Sequence, residues 1–364
     1  MIAIYTPLFL AFSIGQLWGK VWPLLLAIFL FGIIIAIHEF GHFVFAKLFG
    51  VKVNEFALGM GPTVLKRQKG ETKYALRLFP VGGFVSMEGE DENSEDERAF
   101  NKKKVWKRFV IVAAGAIQNI ILGIIVVSVL LTMQELVGTN KIHSFYPDSV
   151  SSEYGLEPLD EIVKINGMRI YSDRDISYIM VTDEDSVLDF TVRRDDKLVQ
   201  VDGVHFKTTE YEGRQIIIWD FSMVGVEKSF SSVASGAIRE SASIVRMVRL
   251  SLVDLVRGKY GLKDVSGPIG TIGLIAETTA DGETAKDKIE TALTLLSFIT
   301  INVGVFNLMP IPALDGGRLF FLIIEGIRRK PINPKYEGYV HTAGLVALLA
   351  FMAVVTVSDI LKFV

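Results

Sequence analysis

The stretch from Val21 to Phe45 reads VWPLLLAIFLFGIIIAIHEFGHFVF, and its only ionisable side chains are His38, Glu39 and His42. At 1.5 Å rise per residue, about 18 or more apolar residues cross a hydrocarbon layer of roughly 30 Å as a helix. Only Lys20 interrupts the 37 residues before His38. Three further blocks, 105–133, 291–327 and 339–358, have the same character. Half of the 364 residues are hydrophobic and 22% are charged, so the apolar mass is gathered into spans. A purely soluble enzyme is excluded. A net charge of -3 argues against a nucleic-acid partner. With no cysteine in the chain, any metal must rest on His, Asp or Glu.

The block at 291–327 is too long for one straight span, since its 37 residues would make a helix of roughly 55 Å. Pro310 and Pro312, followed by Gly316 and Gly317, break it. The pattern predicts a helix to about Leu308, an irregular segment, then a second helix. Irregular backbone at membrane depth is tolerated only where protein or a cavity covers it. Function is to be sought at that break.

Basic residues orient the spans. The 46–104 loop carries Lys47, Lys52, Lys66, Arg67 and Lys102 to Lys104 among others, and the 328–338 loop carries Arg328, Arg329, Lys330 and Lys335. Both are expected on the cytoplasmic side, which places 134–290 and the C-terminus outside. Residues 1–20 form a hydrophobic N-terminal segment, either an extra span or an interfacial one. EGEDENSEDE at 88–97 reads as a solvated acidic linker. YALRLF at 74–79 alternates as a strand does, PVGG at 80–83 turns, and residues 51–87 are expected to be β structure. The outer region is rich in short β-like runs over 137–219, while residues 220–290 form a connector. Within that connector, Ser231 to Arg257 has helical amphipathicity, suiting a helix on the membrane or across the outer domain.

His38-Glu39-Phe40-Gly41-His42 is an H-E-x-x-H motif. Positions i and i+4 lie about 40° apart on a helix, so both imidazoles can share one metal. Glu39 can stand beside a water there, accept its proton and pass it to a departing amine. Three ionisable groups within five positions are costly in hydrocarbon unless they serve a site. A catalytic zinc needs a third protein ligand. Asp315, in NLMPIPALDGGR at the broken point of the third block, is the best candidate and the only acid between Glu290 and Glu325. It could also cap the helix that follows, and the two roles are compatible. Asn307 could hold a substrate backbone or an oxyanion, or only satisfy carbonyls freed by the prolines. His341 has no partner in sequence and reads as an interfacial residue.

These motifs resemble the site-2 proteases, intramembrane zinc metalloproteases, and in particular their bacterial sigma-factor-regulating branch. The likeness covers nearly the whole chain from about residue 25. IHEFGH at 37–42 and FNLMPIPALDGGRL at 306–319 are similar to the family's paired signatures. GVKVNEFALGMGP at 50–62 and LFPVGGFVSMEGE at 78–90 look like its membrane-associated β loop, and SGPIG at 266–270 like the stretch before the third span. GLEPLDEIVKINGMRI at 155–170 resembles a PDZ domain. The resemblance implies Zn2+ on His38, His42 and Asp315, Glu39 as catalytic base, and Asn307 assisting substrate or intermediate. Where relatives carry Gly-Pro followed by Asn, this chain has Gly115-Ala116 with Asn119, and Leu159 stands where Gly is usual before Asp160.

The expected architecture is a polytopic α-helical membrane protein of about four transmembrane helices with a membrane-associated β loop and an extracytoplasmic PDZ-like α+β domain. The divisions are 1–20, a first span over 21–45, a loop over 46–104, a second span over 105–133, a PDZ-like domain over 134–219, a connector over 220–290, a broken third span over 291–327, a loop over 328–338 and a fourth span over 339–358. The resemblance implies a multi-pass protein of the bacterial inner membrane that cleaves single-span membrane proteins, such as anti-sigma factors, or remnant signal peptides. Its site would lie toward the cytoplasm, with His38 roughly 12 Å deep. The β segment at 74–85 would offer an edge to an unwound substrate. Two rivals are a PDZ-bearing membrane scaffold without catalysis and a metal transporter.

Overall fold

The computed structural model describes residues 14–90, 92, 94–183, 185–211, 214–259 and 284–362. Most of the N-terminal segment and SGPIG at 266–270 lie outside the described residues. Among the described residues, four helices are long and apolar enough to cross a membrane: 24–48, 105–133, 285–308 and 335–361. The chain is thus a polytopic membrane protein with sheet-rich regions. It divides into two compact units: residues 1–115, 262–295 and 310–364 form the first, and residues 116–261 and 296–309 the second.

In the first unit, helix α1 runs from Ile14 to Leu48. It is followed by β1 (Val53–Lys69) and β2 (Thr72–Met87), both bent back on themselves. Residues 53–58 of β1 pair with 83–87 on one side and 73–76 on the other, and 73–76 pair again with 65–68. The four segments therefore stand in the order 83–87, 53–58, 73–76, 65–68. Of the expected edge at 74–85, Tyr74 is paired on both sides, to Phe56 and Arg67, whereas residues 83–85 belong to the outer segment 83–87.

Helix α2 (Val105–Met133) coincides with the expected second span. The 291–327 block is broken as its prolines require. Helix α5 (Ala285–Leu308) ends before Pro310, and α6 (Asp315–Arg328) resumes after Leu314, which is extended at φ -101° and ψ 166°. Helix α7 (Pro334–Lys362) starts before the expected 339. Pro334 takes the first helical position, where a missing N–H leaves nothing unsatisfied, and Asn333 Oδ1 accepts the Lys335 N–H at 3.0 Å.

Side chains from several of these elements share one core: Ala46 of α1, Val53 and Val85 of the sheet, Ile111 and Val112 of α2, and Leu319 and Leu322 of α6. Removing one such Val or Leu from water contributes about 1.5–3 kcal/mol. An exposed ion pair contributes about 0–1 kcal/mol. Apolar packing is what holds α6 beside the sheet.

In the second unit, strands β3 (Val137–Phe145), β4 (Glu161–Ile165), β6 (Val187–Arg194), β7 (Lys197–His205) and β10 (Phe221–Val226) form a sheet in the order β10-β3-β4-β6-β7. Strand β5 (Met168–Arg169) pairs with β4, while β8 (Thr208–Tyr211) and β9 (Arg214–Ile217) form a separate hairpin. Helix α3 (Asp173–Thr182) completes this unit's core of Ile142, Ile162, Ile176, Leu188, Phe190 and Phe221. The sheet runs past the expected boundary at 219, because β10 pairs with β3 and Phe221 is buried.

Leu159 adopts φ 71°, the left-handed conformation that glycine takes most readily. The next residue explains why the turn holds. Asp160 is buried, accepts the Glu157 N–H at 3.0 Å, and receives Arg194 Nε and Nη2 at 2.8 and 2.7 Å. Helix α4 (Phe230–Val256) is the expected amphipathic helix. Its Ala237, Ile244 and Val248 pack with Val127 and Leu131 of α2 and Ile301 of α5, while Phe230 and Ile238 remain exposed.

Candidate metal centre

One turn of α1 aligns His38 and His42, whose Nε2 atoms lie 3.2 Å apart with ring planes at 83°. His42 Nδ1 faces the Ile111 carbonyl at 2.9 Å. A proton on Nδ1 donates to that oxygen and leaves the Nε2 lone pair directed at His38 and Asp315. Asp315 opens α6, and its Oδ2 lies 3.1 Å from His38 Nε2 and 3.2 Å from His42 Nε2. The cap position belongs to Leu314, which makes no side-chain cap bond, so the Asp315 carboxylate turns to the imidazoles instead of closing its own helix.

These three groups form the candidate metal cluster among the described residues. Tetrahedral zinc, with bonds of about 2.0–2.1 Å, spaces its ligand atoms roughly 3.3 Å apart. The observed triangle fits that ion. Asp315 Oδ2 is buried without a hydrogen bond of regular geometry, as expected of an atom facing a cation. Room is kept for the cluster by Gly115. A Cβ built there would run into His42 Nε2 and His38 Cε1.

Glu39 turns toward the sheet. A Cβ on Gly83 would stand 3.0 Å from Glu39 Cγ, and the Val85 backbone hydrogen-bonds the carboxylate. With His38, His42 and Asp315 it lines a pocket of about 180 Å3, completed by Phe84, Val85, Met87, Glu90, Val112 and Arg318. At about 30 Å3 per molecule, several waters fit there. A larger cavity of about 570 Å3 shares Glu90, Val112 and Arg318 with it and is lined further by Lys102, Arg108 and Glu325. Arg318 pairs with Glu90, and Arg108 with Glu325.

The fold thus brings together His38, Glu39, His42 and Asp315. Asn307, one residue before the end of α5, belongs to the second unit. Asn119 is also in that unit, fully buried, and its carbonyl accepts the Thr300 hydroxyl at 3.1 Å. Sequence reading missed Arg318 and Glu90. Arg318 stands three residues after Asp315 on a helix, which is a readable signal of a shared face. Glu90 was hidden in a run of acids.

Residues 26–351 match the model of Peptidase family M50. A Clostridium perfringens protein bearing a zinc metalloprotease name is 34% identical over 343 residues, covering 93% of this chain and 98% of its own. The regulator of sigma-W protease RasP of Bacillus subtilis is 29% identical over 415 residues, covering 92% and 97%. The zinc metalloprotease RasP of Bacillus licheniformis is 29% identical over 422 residues, with the same coverage. This similarity agrees with the four apolar helices and with the chemistry that the His-His-Asp cluster implies. The chain belongs to Peptidase family M50, the site-2 proteases, on the branch that includes RasP, and is a zinc metalloendopeptidase.

Proposed function

We propose that this protein hydrolyses peptide bonds inside the membrane segments of single-span proteins. The observation that carries the reading is the convergence of His38, His42 and Asp315 on one point beside Glu39, on a helix long and apolar enough to span a bilayer. His38, His42 and Asp315 would hold the zinc. When bound, the metal supplies Lewis acidity toward a carbonyl oxygen and makes water a better nucleophile.

Glu39 accepts a proton from the attacking water and delivers it to the leaving nitrogen. The water oxygen joins the carbonyl carbon, the C–N bond breaks, and the products end in a carboxylate and an amine. A transmembrane helix hides its amides in internal hydrogen bonds, so the substrate must unwind first. The outer segment 83–87 borders the pocket and lends backbone partners to an unwound strand. Asn307 steadies the substrate backbone or the developing oxyanion.

The basic residues of the 46–104 and 328–338 loops support a cytoplasmic setting for those loops and an outside one for residues 134–290. The β3–β10 unit, with its GLEPLDEIVKINGMRI turn, serves as a PDZ-like module that docks or sterically screens substrates. RasP is named as a regulator of sigma-W, and by that likeness the substrates are membrane-anchored anti-sigma factors or remnant signal peptides.

The test is incubation of the purified protein and Glu39→Gln with single-span peptides, with zinc analysed alongside. The variant should hold zinc and lose about 10²–10⁴-fold in cleavage. Full cleavage by the variant would remove Glu39 from the mechanism.

A further inference from the structure

The irregular segment that delivers Asp315 has a backbone problem. Pro310 and Pro312 offer no N–H, and the Leu314 N–H goes to the Ile311 carbonyl at 3.2 Å. The Ala313 N–H instead reaches out of the segment to His341 Nδ1 on α7, at 3.1 Å. Ala313 itself sits at φ 77°, a left-handed conformation that its Cβ disfavours. A residue is kept there only when its surroundings over-determine it.

Helix α7 supplies those surroundings from one face. Three residues after His341, Gly344 lets α7 lie so close that a Cβ there would be 2.8 Å from the Pro312 carbonyl carbon. The His341 ring rests against Phe321 of α6, with centroids 5.8 Å apart. Its Nε2 lies 4.0 Å from Glu337 Oε1, one turn earlier. A carboxylate on that side favours the proton on Nε2, which leaves the Nδ1 lone pair for Ala313.

We propose that His341 is a positioning residue. By accepting the Ala313 N–H it holds the left-handed bend that aims Asp315 at His38 and His42, and so sets zinc affinity from the last span. This rests on the reading of Asp315 as a ligand. His341 is not among the residues that line the 180 Å3 pocket, and its role is to fix the path of the backbone two residues before the ligand.

The experiment is a double-mutant cycle read by zinc retention. Full-length protein in detergent is titrated with a chelator, and bound zinc is measured for wild type, H341A, A313G and H341A/A313G. Glycine meets no steric penalty at φ 77°. Loss of one hydrogen bond corresponds to roughly 2- to 12-fold weaker zinc binding in H341A. The same His341 change should cost clearly less when residue 313 is glycine.

His341→Phe keeps the ring packing and removes the acceptor. It should weaken binding like H341A and stands in if H341A does not fold. Wild-type affinity in either folded variant overturns the proposal. So does an equal loss whether residue 313 is alanine or glycine. D315A separates the two claims: if it retains zinc fully, the ligand assignment fails. If D315A loses zinc while H341A and H341F do not, only the role of His341 fails.

Discussion

Glu90 and Arg318 form an ion pair in the wall shared by the 180 Å3 pocket and the 570 Å3 cavity beside it. The pair ties the start of α6 to the segment that follows β2. Because both side chains are largely covered, removing one takes an opposite charge away from the other. Glu90→Gln and Arg318→Met should each destabilise the protein by about 1–3 kcal/mol. The double variant should fall short of the sum, since the interaction between the two charges is lost only once. Denaturation in detergent measures this, and strict additivity would show that the two groups do not act together.

Gly115→Ala sets two effects against each other. In a helix interior the change favours folding by roughly 1 kcal/mol. Here the new methyl would occupy the space of the His42 and His38 rings. The steric effect should win at the metal, with zinc content falling below half while circular dichroism keeps its helical signal. Normal zinc content in this variant would mean that the rings can move aside.

Acidification should loosen the sheet of the first unit. Burial pushes the Glu55 carboxyl up, but hydrogen bonds from Arg77 and Lys73 outweigh it, so its pKa lies below the ordinary value. A carboxyl depressed on folding adds stability above its unfolded pKa of about 4.3 and loses that stability as pH falls through the folded value. Between pH 6 and pH 3 the wild type should therefore lose more stability than Glu55→Gln. Parallel pH profiles would contradict the effect.

Leu159 is 68% exposed, so it contributes little packing, yet it holds φ 71°. A left-handed residue with a Cβ costs about 1–2 kcal/mol, and glycine returns part of that through greater freedom of the unfolded chain. Leu159→Gly should stabilise the second unit by up to about 1 kcal/mol, and Leu159→Val should destabilise it. Thermal unfolding of the full chain decides. A glycine variant no more stable than the valine variant would count against this account.

Much of this protein is legible from residue order alone. Long apolar runs determine spans, because no other use of them satisfies the backbone in lipid. Pro310 and Pro312 mark the break before α6, and H-E-x-x-H with one isolated acid names four groups that the fold brings to one pocket. What stayed hidden depends on partners far apart in sequence. Nothing local in YALRLF says that Tyr74 is paired on both sides, because that follows from β1 and β2 folding back on themselves. Glu90 looks like any acid of its linker until Arg318 is placed beside it. His341 looks interfacial until the Ala313 N–H arrives at its ring. The far edge of the second unit's sheet is hidden because β10 pairs with β3, a strand from the opposite end of that segment.

The three inward-facing donors come from two separate helices, two from α1 and one from the first turn of α6. An ion seated among them is a clasp as well as a reagent. It would fasten α1, near the beginning of the chain, to α6 in its last third, adding a directional bond to apolar packing that lipid rewards less than water does. Chelation would therefore loosen the link between α1 and α6 at the same moment that it silences the chemistry, leaving their shared apolar core to hold them.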